Sequence, residues 1–445
     1  FQKSYRTGIT VTNTLGVSGG HDRATYRLSV TDLRNQGIVP NNSLNRQSVS
    51  LLINAKVTDR LTVEAKANYL RQNLSNPPET GGSGTSATVA LTRLPPFLDL
   101  DWLKNYKRAD GTMINYKSGS PNNPYWLMNE VTGSGDRDRL IGYVLAKYRF
   151  TDWLSLQGRT ATDFYYDTRF SRVGIGTPGK TQGILHNDDY RIKEDNSDVL
   201  LTAAGSLSKS LTGSLNIGAN HRDYSEEHAG LMGSGFNIPN LYNISNAKFI
   251  SASQFLQRKV MNSVYFSGEL AYNNYLFLDI TGRNDWSSTL GMNNYSFFYP
   301  SVSSGFVFTD AFNMKSSLLS FGKLRASYAE AGNDANPYQT IAGYDLSTST
   351  YNGQPEASIS TSIPLLNLKN ELTRSVEFGT ELKFFQNRLG LDFTYYHSNT
   401  INQITPVDIS PATGYATRLI NAGNIQNQGV ELMITATPVR TSNFS

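Results

Sequence analysis

There is no cysteine among the 445 residues. That excludes a disulfide scaffold, thiol chemistry and cysteine-ligated metal. Long apolar runs are missing as well: nothing approaches the roughly 18 consecutive apolar residues of a membrane-crossing helix. Barrel strands leave a far weaker hydropathy signal, so this absence does not exclude a membrane protein. Residues 1–10, FQKSYRTGIT, lack the apolar stretch of a signal peptide, which leaves a cytoplasmic protein or a mature or partial chain. Neither charge is in real excess. Lys+Arg (40) and Asp+Glu (36) are dispersed, the formal net charge is +4 and the pI is near 8.9, so no nucleic-acid patch is expected. The five histidines are scattered, and no Ser/His/Asp arrangement stands out.

What is present is unusual for a soluble core. Hydrophobic residues reach only 38% and mean hydropathy is −0.38, yet there are 25 Tyr and 21 Phe. Such a composition suits a sheet with one apolar and one wet face. Period-two alternation recurs along the chain. In LTVEAKANY, Leu61, Val63, Ala65, Ala67 and Tyr69 oppose Thr62, Glu64, Lys66 and Asn68. In VEFGTELKFF, Val376, Phe378, Leu382 and Phe384 oppose Glu377, Glu381 and Lys383. ATYRLSVTDLR, SVSLLINAKV, LTGSLNIGAN and RLGLDFTYYH read the same way. Each run is about ten residues, the length of a strand tilted across a bilayer.

Tight connections at 18–22, 57–61, 150–154, 207–211, 272–275 and 385–389 alternate with long polar ones. The long class comprises roughly 71–138, 167–197, 222–261, 329–372 and 398–427, with 34–46 and 287–297 as shorter members. One turn, 309–320, is expanded and has room for a helical turn. Short turns alternating with long loops are the topology of an outer-membrane barrel, the long loops outside. The fold class expected is therefore all-β: a transmembrane antiparallel up-and-down β-barrel with about 15 strands here, a sixteenth starting near Phe444. Aromatics gather at both strand ends, as in membrane girdles. In YSFFYPSVSSGFVF, Phe297, Phe298 and Tyr299 are expected at the outer girdle. Val302, Phe306 and Phe308 are expected toward lipid, and Ser301, Ser303 and Gly305 toward the lumen.

Several segments together resemble the SusC/RagA-type TonB-dependent transporters of the outer membrane of Bacteroidetes-like bacteria. They are LGVSGGHDRATYRLSVTDLRNQGIV (15–39), RNDWSSTLGMNNYSFFYPSVSSGFVFTDAF (283–312), GKLRASYAEAGN (322–333) and NAGNIQNQGVEL (421–432). Phe306 stands where that family often has tryptophan. The resemblance implies an N-terminal extension domain, a TonB-contacting segment and a plug inside a 22-stranded barrel; in this sequence only part of the barrel is expected, without the other three. A partial chain is therefore expected, and an intact mass near 49 kDa for the purified protein would overturn that expectation. It further implies import of oligosaccharides or peptides with a SusD-like surface lipoprotein, energised by the TonB–ExbB–ExbD complex. Contact with outer-membrane lipid and a dimer are compatible with it, and no nucleic acid is implied.

Catalytic residues and resident cofactors are not expected. HRDYSEEH (221–228), HNDD (186–189) and GDRD (135–138) are read as solvated loop segments; the last two leave room for a loop Ca2+ but lack EF-hand spacing. GGSGTS (81–86) lacks the Lys-Ser/Thr of a phosphate loop. Alternation points Arg27, Lys56, Glu64, Lys66, Asp279, Arg283, Lys323, Arg325, Glu377, Glu381, Lys383, Asp392 and Glu431 toward the lumen, where the resemblance has them pack against the plug or line the route. Loop aromatics Tyr125, Trp126, Tyr190, Tyr224, Trp286 and Tyr338 are candidate ligand contacts, since a sugar's apolar face stacks on such rings. A passive porin-like channel and a soluble or surface carbohydrate-binding β-protein are the competing readings. The latter, if a hydrolase, needs a convergent carboxylate pair, and none is identifiable.

Overall fold

Alternation of apolar and polar residues requires a sheet that buries one face and wets the other, and the computed structural model shows one. It describes residues 4–79, 84–117, 122–314 and 316–438. Fifteen strands form one antiparallel sheet in up-and-down order. They are β1 Ile9–His21, β2 Ala24–Gln36, β3 Ser43–Lys56, β4 Leu61–Ser75, β5 Val131–Arg149, β6 Leu154–Val173, β7 Ile184–Ser206, β8 Leu211–Phe236, β9 Ala247–Tyr272, β10 Leu276–Ser287, β11 Ser296–Phe306, β12 Leu319–Asn333, β16 Glu371–Phe384, β17 Leu389–Ile401 and β20 Asn424–Ala436. The sheet is open, a partial barrel. The strand expected near Phe444 lies outside the described residues.

Directly paired residues share a face, so the register assigns every side chain. Leu61, Tyr148, Leu156, Leu201, Ile217 and Phe266 form one continuous row from β4 to β9. Leu276, Phe306, Leu324, Thr380, Phe393 and Leu432 form another from β10 to β20. Most of these large side chains are exposed, which only a lipid surround tolerates. Gly282 sits within this face because a Cβ there would stand 2.5 Å from the Phe266 ring and 2.9 Å from Phe298.

Five of the six tight turns fall where the alternation breaks; the one expected at 18–22 lies at 22–23, because residues 18–21 continue β1 in register with β2. Asn273 and Asn274 both take positive φ (51° and 58°), the type I′ pattern that matches strand twist. The expanded turn carries α4, Phe308–Ala311, so Phe308 belongs to a helical turn and not to the strand face expected for it. Rings cluster at this end in edge-to-face pairs: Tyr148–Phe150 at 5.0 Å, Tyr272–Tyr275 at 5.6 Å and Phe306–Phe312 at 5.8 Å.

The other end departs from expectation. Segments 167–197 and 222–261 are mostly strand, and their true connections shrink to residues 174–183 and 237–246. In β6 to β8 both faces of these extensions are polar, and in β9 apolar residues fall in adjacent pairs such as Phe255 and Leu256, so alternation is invisible in hydropathy. Cross-strand ion pairs stand in for it, such as Arg222 with Glu194 at 2.8 Å. β8 and β9 reach 26 residues each, roughly 85 Å of chain at ~3.3 Å per residue, far beyond an apolar band of ~25 Å.

The genuine long connections are folded. Residues 76–130 carry α1 Ala87–Thr92, α2 Leu100–Lys104 and α3 Pro124–Glu130, started by Ser86, Asp99 and Asn123 as N-caps. They pack around Trp126, Leu91, Leu103 and Met128 as a first cap. Residues 81–83 of the GGSGTS stretch lie outside the described residues. The connection after β12 holds β13 Tyr344–Tyr351, β14 Gln354–Ile359 and β15 Ser362–Ile363; that after β17 holds β18 Ile404–Asp408 and β19 Thr417–Asn421. Leu290, Phe297, Ala335, Leu368 and Leu419 unite these with 288–295 in a second cap.

Candidate functional site

The sheet's second face is the candidate site. Arg27, Leu52, Lys66, Tyr143, Ala161, Asn196, Arg222 and Met261 run across it in register. From β10 onward the row continues as Asp279, Ser303, Ser327, Glu377, Tyr396 and Gly429. By the same parity every charged residue expected to share a face does so, Lys56, Glu64, Arg283, Lys323, Arg325, Glu381, Lys383, Asp392 and Glu431 included.

Most of these charges are held by neighbours. Arg325 makes a two-pronged contact with Asp392 (2.5 and 3.1 Å), Lys383 reaches Glu381 at 3.0 Å and Lys56 reaches Asp59 at 3.0 Å. Tyr143 donates to Glu64, and Lys323 lies over the Phe277 ring at 5.8 Å. Asp279, Lys323, Arg325 and Glu377 meet in a recess of about 290 Å³ with Ser303 and Thr394. Glycine at 379 leaves room for the Arg325 guanidinium, which would lie 2.9 Å from a Cβ there.

Sequence reasoning missed the upper half of this face. Arg139 grips Asp163 through two bonds (2.8 and 2.5 Å), and Arg137 and Arg169 converge on buried Asp167 at 2.6 and 2.8 Å. Tyr165 lies beside both Arg137 and Arg139, at 4.9 and 5.4 Å. The signal was present in GDRDR, where the sign of charge alternates from Asp136 to Arg139, and in the dense charge of RIKEDNSD.

The second cap is locked to this face by the RNDWSS stretch. Arg283, Asp285 and Ser287 alternate onto it. Arg283 donates to Asp285 at 2.7 Å and to Ser263 at 2.6 Å, and the Tyr299 hydroxyl donates to Asp285 at 2.5 Å. Ser287 and Lys259 both donate to Asp334 at 2.5 Å. Phe297 and Tyr299 stack at 5.9 Å on this side. The expected aromatic girdle of three thus reduces to Phe298, 54% exposed on the apolar face against 8% for Phe297. Strand parity, which outranks sequence proximity, turns the other two inward.

The aromatic ligand candidates disperse. Trp126 is fully buried: Lys107 stands over its ring, and its indole N–H donates to Thr177 at 2.8 Å. It is core and cannot stack on a ligand. Tyr125 is half-buried in the first cap. Trp286 alternates onto the apolar face, in line with Asn262 and His221, and is a girdle residue. Tyr190 is stacked between Arg169 (4.5 Å) and His228 (4.4 Å), and His228 stacks in turn on Phe255 at 5.1 Å. Tyr224 donates to Glu226 at 2.8 Å, and exposed Tyr338 accepts from the Arg258 amide at 3.2 Å.

The oxygen-rich stretches are strand, not loop, and alternation sends neighbouring carboxylates to opposite faces: Asp188 meets His228 at 2.9 Å while Asp189 takes the Tyr166 hydroxyl at 3.0 Å. No group of three His, Asp or Glu side chains converges among the described residues.

Residues 68–445 match the family described as TonB dependent receptor-like, beta-barrel. The chain is 26% identical over 462 residues to TonB-dependent receptor P3 of Formosa agariphila, covering 99% of this chain and 45% of that protein. It is 23% identical over 474 residues to TonB-dependent receptor SusC of Bacteroides thetaiotaomicron, covering 99% and 46%. The chain thus spans about half the length of the curated relatives it matches. Among solved structures, the RagAB peptide transporter superposes with a TM-score of 0.82 at 20% identity, over 98% of this chain and 49% of that one. A ferripyoverdine receptor of Pseudomonas aeruginosa superposes at 0.61 with 12% identity, over 97% and 53%. These likenesses show the fold.

Proposed function

Because the chain belongs to the TonB-dependent receptor β-barrel family, an outer-membrane family of Gram-negative bacteria, we propose that it forms the wall of an energised importer for oligosaccharides or peptides. The observation that carries this reading is the division of the sheet. One face is a continuous apolar surface for lipid. The other is a continuous polar surface rich in charge, many of its ions held by neighbouring side chains, with hydroxyls and ring edges among them for a polar solute. Relatives named as receptors and transporters support a transport role in place of catalysis. TonB supplies the force, and a SusD-like lipoprotein at the loop end presents the ligand; the name SusC and the RagAB assembly of the relatives support both. A plug filling the wet side would meet the recess of Asp279, Lys323, Arg325 and Glu377.

The test is labelled uptake in a strain lacking the protein, across a panel of oligosaccharides and peptides, with and without TonB. Loss of uptake of one class, restored by the gene only when TonB is present, is expected. Uptake independent of TonB would establish the passive channel instead. Recovery of the protein in the soluble periplasm without detergent would defeat the barrel reading.

A further inference from the structure

The β8–β9 ribbon outruns its neighbours. β9 pairs with β8 from Ala247 to Tyr272, but β10 accompanies β9 only from Tyr272 to Met261. Just above that point, Ser288 accepts from the Val260 amide at 2.9 Å and donates its own amide to the Val260 carbonyl at 3.0 Å. Tyr338 then accepts from the Arg258 amide at 3.2 Å. These contacts fix the phase of the strand: even-numbered residues aim their backbone groups away from β8. Among the described residues, the N–H and C=O groups of Ile250, Ala252, Gln254 and Leu256 have no partner on that side. Large exposed side chains flank them, Phe249 and Ile250 at one level, Phe255 and Leu256 at another. A flat edge with free donors, free acceptors and apolar side chains on both faces is a template for one more strand.

The chain carries the strand that fits. The connection after β12 is pinned to this edge at its start, by Asp334 on Lys259 and by Tyr338 on Arg258. β13 follows a few residues later. It pairs with β14 through Tyr344–Ile359 and Tyr351–Gln354, with an irregularity between Leu346 and Thr350. Tyr344 and Leu346 remain 75% and 76% exposed. β13 already lies beside β9 but is not paired with it, and a two-stranded hairpin is marginal in water until a third strand joins it.

We propose that the β13–β14 hairpin zips onto the free edge of β9, outward from the Tyr338–Arg258 contact and antiparallel to β9. It then acts as a strap that widens the ribbon into a four-stranded wall. Tyr344 and Leu346, two residues apart and so on one face of β13, then cover apolar side chains of a single face of the β9 edge. Where the polar face is the solute route, a reading this part rests on, the closed strap narrows the gap between the two caps.

Amide exchange on the detergent-solubilised full-length protein tests the pairing without reference to transport. With the strap closed, the amides of residues 250, 252, 254 and 256 exchange about 100-fold more slowly than open amides, as slowly as their odd-numbered neighbours. Fast even-numbered amides beside slow odd-numbered ones overturn the proposal. Ala252→Pro removes one donor from the free edge and none from the β8 ladder, so it is expected to expose 344–359 to protease while β8 stays protected. Even-numbered amides that remain slow after deletion of 344–359 also overturn it, because some other strand then covers the edge.

Discussion

At the residue scale, two aspartates bear most of the second cap. Asp285 and Asp334 are buried and together take Arg283, Tyr299, Ser287 and Lys259. Removing one side of a buried pair leaves the other charge uncompensated, which costs about 3–5 kcal/mol. Asp334→Ala is therefore expected to release the connection after β12, read as faster protease nicking between 334 and 370 with the sheet intact. Trp126→Ala is expected to cost about 3–5 kcal/mol of first-cap stability, because a fully buried ring is lost. Trp286→Ala should leave that cap unchanged. Differential scanning calorimetry of the two variants separates core from girdle. Asp110 shows the same logic at the surface: side-chain and amide donation from Thr112 holds its carboxyl below the usual range. A depressed carboxylate stabilises above its unfolded pKa and loses that contribution as pH falls through the folded one. Protection of the Thr112 amide, its exchange compared with an open amide at the same pH, should accordingly fall as acid protonates Asp110 and hold steady above that range.

At the scale of the element, face assignment makes a sharp contrast between neighbours. Val302 and Ser303 are adjacent in β11 but lie on opposite sides of the sheet. Val302→Arg puts a cation toward hydrocarbon and is expected to cost about 2–4 kcal/mol, whereas Ser303→Arg meets the wet face beside Asp279 and costs little. Urea unfolding of both variants in lipid vesicles measures the difference. This contrast was legible in the sequence because β11 is apolar on one side only. The upper parts of β6 to β8 were not, since Asp, Arg and Glu occupy both sides there and hydropathy cannot tell a polar strand from a loop. The density of charge in RIKEDNSD was the available signal, and it speaks of cross-strand partners that no single strand contains.

For the whole molecule, tight turns were readable because Asn-rich and Thr-Asp junctions interrupt a two-residue period, a local property. The caps were not. Trp126 sits in a polar, proline-bearing stretch that looks exposed until Thr177, Lys107 and Tyr106 arrive from elsewhere. Phe297 and Tyr299 likewise read as membrane aromatics until Leu368 and Leu419 close over them. Site residues chosen by period two all reached one face; those chosen as loop aromatics scattered, because a loop's side-chain directions are set by long-range packing that spacing does not encode.

The Lys259–Asp334 contact joins residues 75 apart, while each hairpin of the sheet closes on its immediate neighbour. Loop-closure entropy makes such a distant contact slow to form before the intervening strands are in place. Assembly is thereby ordered in time: β9 to β12 must be laid side by side before the aspartate can find its lysine. The second cap is thus a late event of biogenesis, completed on a wall that already stands.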